Sequence, residues 1–275
     1  MRLRIGCSSW TSEAWWGRVY PAGMKDGDRL GRYASLYDTV EVDSTYYRPP
    51  SAFLVRRWAS VTPKDFVFTL KFPRDLLDPR KPLERAEIDG FVAAARLLGP
   101  KLGPILLQFP PWFKPAKARG FLSELLEGLD PGLRFAVELR DAGWFRGATW
   151  TGLSEELGRR RVALAWSYLT YVDVPPELTS DFVYLRFIGD HTSVPDETHG
   201  EIRLDRSPEL KRWAERLKGV PERVEDGFVY FNNHFAGFAP ESVNQFRQEM
   251  DLPAIEYRVP QGPQVRDPQT RLSVS

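Results

Sequence analysis

Apolar residues recur along this chain in short runs that end on polar ones. In order, the runs are RIGCSSW, TVEVDST, FVFTLK, PILLQF, FAVELR, VALAWSY, VYLRF and VYFNNH. Between them lie stretches with apolar positions three and four residues apart, as in Phe91, Ala94, Ala95 and Leu98. Short apolar runs mark buried strands and the wider spacing marks helices, so the pattern is a repeated strand and helix. Eight such units predict a single (β/α)8 TIM barrel, with its active face at the C-terminal ends of the strands. The strands are expected over 3–9, 39–45, 66–72, 104–109, 134–140, 162–168, 182–188 and 227–233. Helices are expected near 29–37, after a Ser51 cap, near 83–98, 116–129, 150–161 and 208–218, and with Pro240 in a last first turn. The segment LTYVDVPPELTSD has no helical pattern, so the helix after the sixth strand is expected to be short or missing. The long polar segment GDHTSVPDETHGEIRLDRS after the seventh strand is a candidate lid or binding loop. The barrel domain is expected over 1–258, and the Pro-rich, polar stretch 259–275 is expected to be a poorly ordered tail.

A length of 275 residues suits one barrel, and the absence of a Gly-rich dinucleotide fingerprint argues against an open doubly wound sheet. The formal charge of +1 provides no global field for a polyanion or a membrane surface, so any nucleic-acid contact must come from a local patch. The chain enters its first strand directly through MRLRIGCSSW, and no run approaches the roughly 18 apolar residues of a spanning helix. A soluble, cytoplasmic protein without membrane partners is expected. The lone Cys7 excludes an internal disulfide and a cysteine-cluster metal site.

Side chains alternate faces along a strand, so the outward valines of VEVDS turn Glu41 and Asp43 inward. The same rule pairs Thr69 with Lys71, Glu138 with Arg140, Tyr184 with Arg186, and Asn232 with His234. Gln108 ends the fourth strand, which Pro110 and Pro111 close. Such a polar interior is costly unless the charges pair or meet a ligand. Two readings stay open: a buried ion-pair network that holds the register, or a binding site at the C-terminal rim.

Seven blocks carry a resemblance to a known family. The opening IGCSSW with Trp15, Trp16, Tyr20 and Pro21, then TVEVDSTYYRPP, VFTLKFPR, ILLQFPPWF, FAVELRDAGW, YLRFIG and VYFNNHFAGFAP, resemble in order the conserved blocks of the DUF72 (YecE-like) family. The resemblance implies a TIM barrel and no particular activity, since the family is named for lacking one. It also implies that Glu41, Ser44, Tyr47, Lys71, Gln108, Pro110, Glu138, Arg140, Trp144, Arg186, Asn232 and Asn233 are motif residues. The chain departs from the family pattern in three places. It reads DLLDPRK where members carry a Thr-His pair, has Asp141 where they commonly have His, and has His234 where they have a carboxylate.

As an enzyme, the chain would use Glu41, Glu138 and Lys71 for acid and base work. Asp43, Tyr47, Gln108, Arg140, Arg186, Asn232, Asn233 and His234 would bind a small anionic substrate, phosphorylated or carboxylated. Trp144, Trp166 and Trp10 would stack on its ring. Hydrolysis, lyase chemistry and isomerisation all fit. A retaining glycosidase with carboxylates on strands four and seven does not, because Gln108 and Arg186 stand there. A second version has Glu41, Asp43, Glu138 and His234 hold Mg or Mn. A third is a nucleic-acid-binding or endonuclease-like barrel, not favoured by the near-neutral charge.

Overall fold

The computed structural model describes residues 1–259. Eight parallel strands are present: β1 (Arg2–Cys7), β2 (Thr39–Val42), β3 (Val67–Lys71), β4 (Leu102–Gln108), β5 (Phe135–Glu138), β6 (Ala163–Tyr168), β7 (Phe182–Phe187) and β8 (Asp226–Phe231). They pair in the order β1-β8-β7-β6-β5-β4-β3-β2. Around them lie α1 (Arg29–Ala34), α2 (Ser44–Tyr47), α3 (Ala52–Val61), α4 (Arg85–Arg96), α5 (Pro115–Glu127), α6 (Gly147–Arg160), α7 (Ser207–Lys218) and α8 (Ala239–Glu249). The fold is the expected α/β barrel, and among the described residues no helix lies between β6 and β7. Of the tail expected over 259–275, residues 260–275 lie outside the described ones.

The seam between β1 and β2 leaves the barrel only nearly closed. It is held by a bridge between Ser8 and Glu41, with Ser9 N donating to Glu41 O at 2.9 Å. Lower down, the Tyr33 hydroxyl wedges between the strands, accepting from Cys7 N at 2.8 Å and donating to Thr39 O at 3.0 Å. Gly6 permits this approach, because a Cβ there would lie 2.3 Å from Thr39 O and 2.8 Å from the Tyr33 hydroxyl.

Period-two alternation explains the two apolar layers. Val40, Val42, Leu70, Leu107 and Leu164 face outward against the helices. Inside, the small residues Ala136, Ala163 and Ala165 leave room for Phe182, Phe228, Tyr184 and Tyr230. This plug fills the lower barrel, so the interior is accessible only from the C-terminal mouth. Local signals place the helix starts: Ser51 Oγ accepts from Leu54 N at 3.2 Å, and proline opens α5 and α8.

Four strands stop two or more residues earlier than the apolar runs suggest, β1 among them at Cys7. β2 ends at Val42 because Asp43 already has helical dihedrals (φ −66°, ψ −33°) and leads into the short α2. β5 ends at Glu138 and β8 at Phe231, which puts Arg140 and Asn232 to His234 beyond the ladder.

Candidate active site at the barrel mouth

Above the apolar plug sits a ring of ionised side chains centred on Arg186 of β7. Its guanidinium is 1% exposed, and Glu41 and Glu138 are 0% exposed. Arg186 grips Glu41 in a two-pronged pair, Nε to Oε2 at 2.8 Å and Nη2 to Oε1 at 2.7 Å. Its Nη1 donates to Glu138 Oε2 and, at 3.2 Å, to Gln108 Oε1. The remaining lone pairs are met as well. Ser8 Oγ and the Tyr184 hydroxyl donate to Glu41 at 2.9 and 2.7 Å, while Ser167 Oγ and Arg140 Nε donate to Glu138 at 2.7 and 2.6 Å. Burial pushes both carboxyls toward the neutral form, but the cations outweigh it. Arg186 and Lys71 hold Glu41 below its ordinary range, and Arg140 with Arg186 holds Glu138 well below it.

This saturation bears on the acid and base roles expected of the two glutamates. Each is ionised, out of solvent and already accepting from several donors, an arrangement suited to orienting Arg186 and Arg140. The same geometry makes Glu41, Asp43 and Glu138 a poor fit for Mg or Mn, since a cation would have to displace Arg186 and sit beside Lys71. His234 does not join them. Its ring lies among the residues that follow β7, with Nδ1 2.7 Å from Val194 O.

Solvent reaches Asp43 and Arg140 in the next tier, while the Lys71 side chain is 8% exposed. Lys71 Nζ lies 2.6 Å from Asp43 Oδ1, 3.1 Å from Gln108 Oε1 and 3.8 Å from Glu41. Arg140 is 18% exposed and the Asp43 side chain 29%. Three acids, Glu41, Asp43 and Glu138, thus face three bases, Lys71, Arg140 and Arg186. Tyr47, expected here from its motif, is strongly exposed on α2 with Arg74 over its ring at 5.3 Å.

Two tryptophans expected at the mouth are elsewhere. Trp144 is fully buried, stacked on Phe113 at 5.4 Å with its indole N–H on Phe113 O at 2.6 Å. Trp166 points outward from β6, its indole N–H donating to Glu177 O at 3.0 Å and its ring near Trp213. Alternation itself dictates this, because Ala165 and Ser167 take the inward positions of β6. Trp10 is partly buried, edge-on to Trp58 at 5.7 Å. Neither Trp144 nor Trp166 has a face free to stack on a ligand.

The residues after β8 serve as ties between loops. Asn232 Oδ1 caps the following turn by accepting from His234 N at 3.0 Å. Asn233 accepts from Trp15 Nε1 at 3.3 Å and Ala239 N at 3.0 Å, and donates to Ser12 Oγ at 3.0 Å, joining the loops after β1 and β8. Both asparagines line a cavity of about 340 Å3 with Ser8, Ser9, Ser12, His199 and His234.

Two aromatic residues at the mouth escaped the sequence reading. The Tyr46 ring lies 5.7 Å from Lys71 Nζ, and its hydroxyl neighbours Gln108 and Arg140. Tyr171, half-exposed in the segment that replaces a helix, has its hydroxyl beside Arg140. Burial pushes both phenols above their ordinary range, so both remain neutral. The chain has already left the ladder at Asp43 and turned into α2 when it reaches Tyr46, so no strand pattern marked that residue. Tyr171 has no local signal either.

Comparison with known proteins agrees with the fold and with the family resemblance. A Bacillus subtilis protein, UPF0759 protein YunF, is 24% identical over 275 aligned positions, covering 91% of this chain and 95% of that protein. The Escherichia coli UPF0759 protein YecE is 28% identical over 145, covering 52% of this chain and 50% of YecE. A DUF72 family crystal structure from Thermotoga maritima superposes with a TM-score of 0.76 at 26% identity, covering 91% of this chain and 100% of that one. One from Enterococcus faecalis gives 0.75 at 20% identity, covering 91% and 96%. The family model described as "Protein of unknown function DUF72" matches residues 4–266, and the chain belongs to that family.

Proposed function

We propose that the mouth is the active site of a cytoplasmic enzyme acting on a small, polar, ring-bearing molecule with a phosphate or carboxylate group. One observation carries this reading: Lys71 and Arg140 stand at the border between the saturated ring and solvent, with tyrosines beside them. Asp43 occupies Lys71 from the solvent side and serves as a placeholder that the substrate's anionic group displaces. Tyr46, Tyr47 and Tyr171 take the ring-facing role that the tryptophans cannot fill. Glu41 and Glu138 act by holding Arg186 and Arg140 in place, and Lys71 is the group positioned for proton transfer. Acid–base isomerisation, elimination or hydrolysis all fit such a group. The nucleic-acid reading has less support, because the mouth's charges cancel three against three.

A thermal-shift panel of sugar phosphates and aromatic carboxylates tests this. At least one class should stabilise the wild-type chain, and Lys71→Met and Arg140→Ala should each remove the shift. Asp43→Asn should strengthen it. The reading is lost if neither class shifts the wild type, or if both cation variants keep the wild-type response.

A further inference from the structure

The chain has three histidines, and all three meet in one place away from the ionised ring. His191 and His199 come from the segment after β7, and His234 from the turn after β8. The His191 and His234 rings are 3.6 Å apart between centroids, and His199 and His234 are 4.6 Å apart. Asp196 stands between them, its Oδ1 3.3 Å from His234 Nε2 and 3.8 Å from His199 Nδ1. Gly189 allows this meeting. At φ +70° it turns the chain back at the end of β7, and a Cβ there would lie 2.2 Å from His234 O.

The hydrogen bonds indicate which lone pairs are free. His234 Nδ1 lies 2.7 Å from the Val194 carbonyl, which can only accept, so the ring carries its proton on Nδ1. Its Nε2 then presents a lone pair to a carboxylate oxygen 3.3 Å away. Two acceptors at that distance need a cation or a second proton between them. A ring N–H held by a backbone carbonyl, with the other nitrogen free, is also how metal-binding histidines are usually oriented. His199 adds an independent sign. Its side chain is only 9% exposed, it lines the 340 Å3 cavity, and its Nε2 is buried without a hydrogen-bond partner among the described residues.

We propose that His191, Asp196 and His234 form a binding site for a divalent transition-metal ion, with His199 as an adjoining fourth group. Their ligand atoms lie within 4.8 Å of one another. A shell with bonds of about 2.1 Å separates its ligands by roughly 3–4 Å, so a contraction of about 1 Å completes the site. His191 and Asp196 are exposed and can supply that movement by side-chain rotation. Two imidazoles and one carboxylate suit zinc, iron, cobalt or nickel in preference to Mg or Ca, whose shells are built of oxygen. Three protein ligands leave a coordination position open, and the cavity beside it runs to Ser8, which also donates to Glu41. The site is therefore distinct from the carboxylate set expected from sequence, and it stands whether or not the mouth binds an anion.

The test is a titration of Zn2+ into the full-length chain, previously stripped with EDTA, followed calorimetrically and repeated with Co2+ for its ligand-field spectrum. One ion per chain is expected, with cobalt bands of a site containing nitrogen ligands. His191→Ala and Asp196→Ala should each weaken Zn2+ binding at least tenfold, and the double variant should abolish it. Because both side chains are exposed, unfolding curves without metal should match the wild type, which separates loss of the site from loss of the fold. Absence of stoichiometric uptake of either ion would overturn the proposal and leave a protonated His234 paired with Asp196. Unchanged uptake in the double variant would overturn it equally.

Discussion

Two polar clusters share the C-terminal end of this barrel, and they differ in how completely their atoms are satisfied. In the ring, every oxygen of Glu41 and Glu138 accepts from a named donor, and Arg186 is enclosed by carboxylates and Gln108. In the histidine cluster, His234 Nε2 and Asp196 Oδ1 stand 3.3 Å apart, and His199 Nε2 has no partner among the described residues. Polar density marks both, yet only the second has valences left over. The ring is built as a frame across the barrel mouth, while the cluster and the Lys71–Arg140 rim are the two places proposed to take a ligand.

The comparison breaks most readily at Arg186. Replacing Arg186 with Met leaves two buried carboxylates without their shared cation, and the chain should lose about 3–5 kcal/mol of stability in a denaturant titration. A cost under about 1 kcal/mol, the range of exposed pairs, would show the ring to be solvated and the contrast mistaken.

Acid provides a second and smaller test. Both glutamates are held below the ordinary glutamate value of 4.5 in the folded chain. The unfolded chain therefore takes up protons first, so their contribution is full at neutral pH. It fades as pH falls below that value toward the depressed folded ones. Glu138→Gln should reduce the steepness of this acid limb while lowering stability at neutral pH. An acid limb identical to that of the wild type would mean that Glu138 does not drive it. The smallest effect belongs to the other cluster: His191→Ala, without metal, should change stability by no more than about 0.5 kcal/mol, as at other exposed positions. A larger loss would make the histidines structural packing.

Much of the ring was legible along the chain. Val40 and Val42 outward imply Glu41 inward, and Tyr184 and Arg186 follow the same rule, as do Thr69 and Lys71. Applied strictly, that rule also puts Trp166 outside, since Ala165 and Ser167 are its inward neighbours. Alternation fails where the ladder ends. Asp43 and His234 reach their places through helical or turn dihedrals, whereas Arg140, just past the end of β5, still meets Glu138 as the period-two rule expects. Trp144 could not be placed because its partner, Phe113, lies in a different loop.

By itself the sequence determined the eight-unit barrel, the missing helix after β6 and the inward set of Glu41, Lys71, Gln108, Glu138 and Arg186. These follow from side-chain periodicity and apolar burial, which act over a few residues and repeat. Tertiary structure alone decided which carboxylates were already saturated, which aromatic residues border the mouth, and that His191, Asp196 and His199 fold onto His234. Those outcomes depend on where loops distant in sequence come to rest, and the physical reason is that loop packing is set by contacts between segments, which no local pattern encodes.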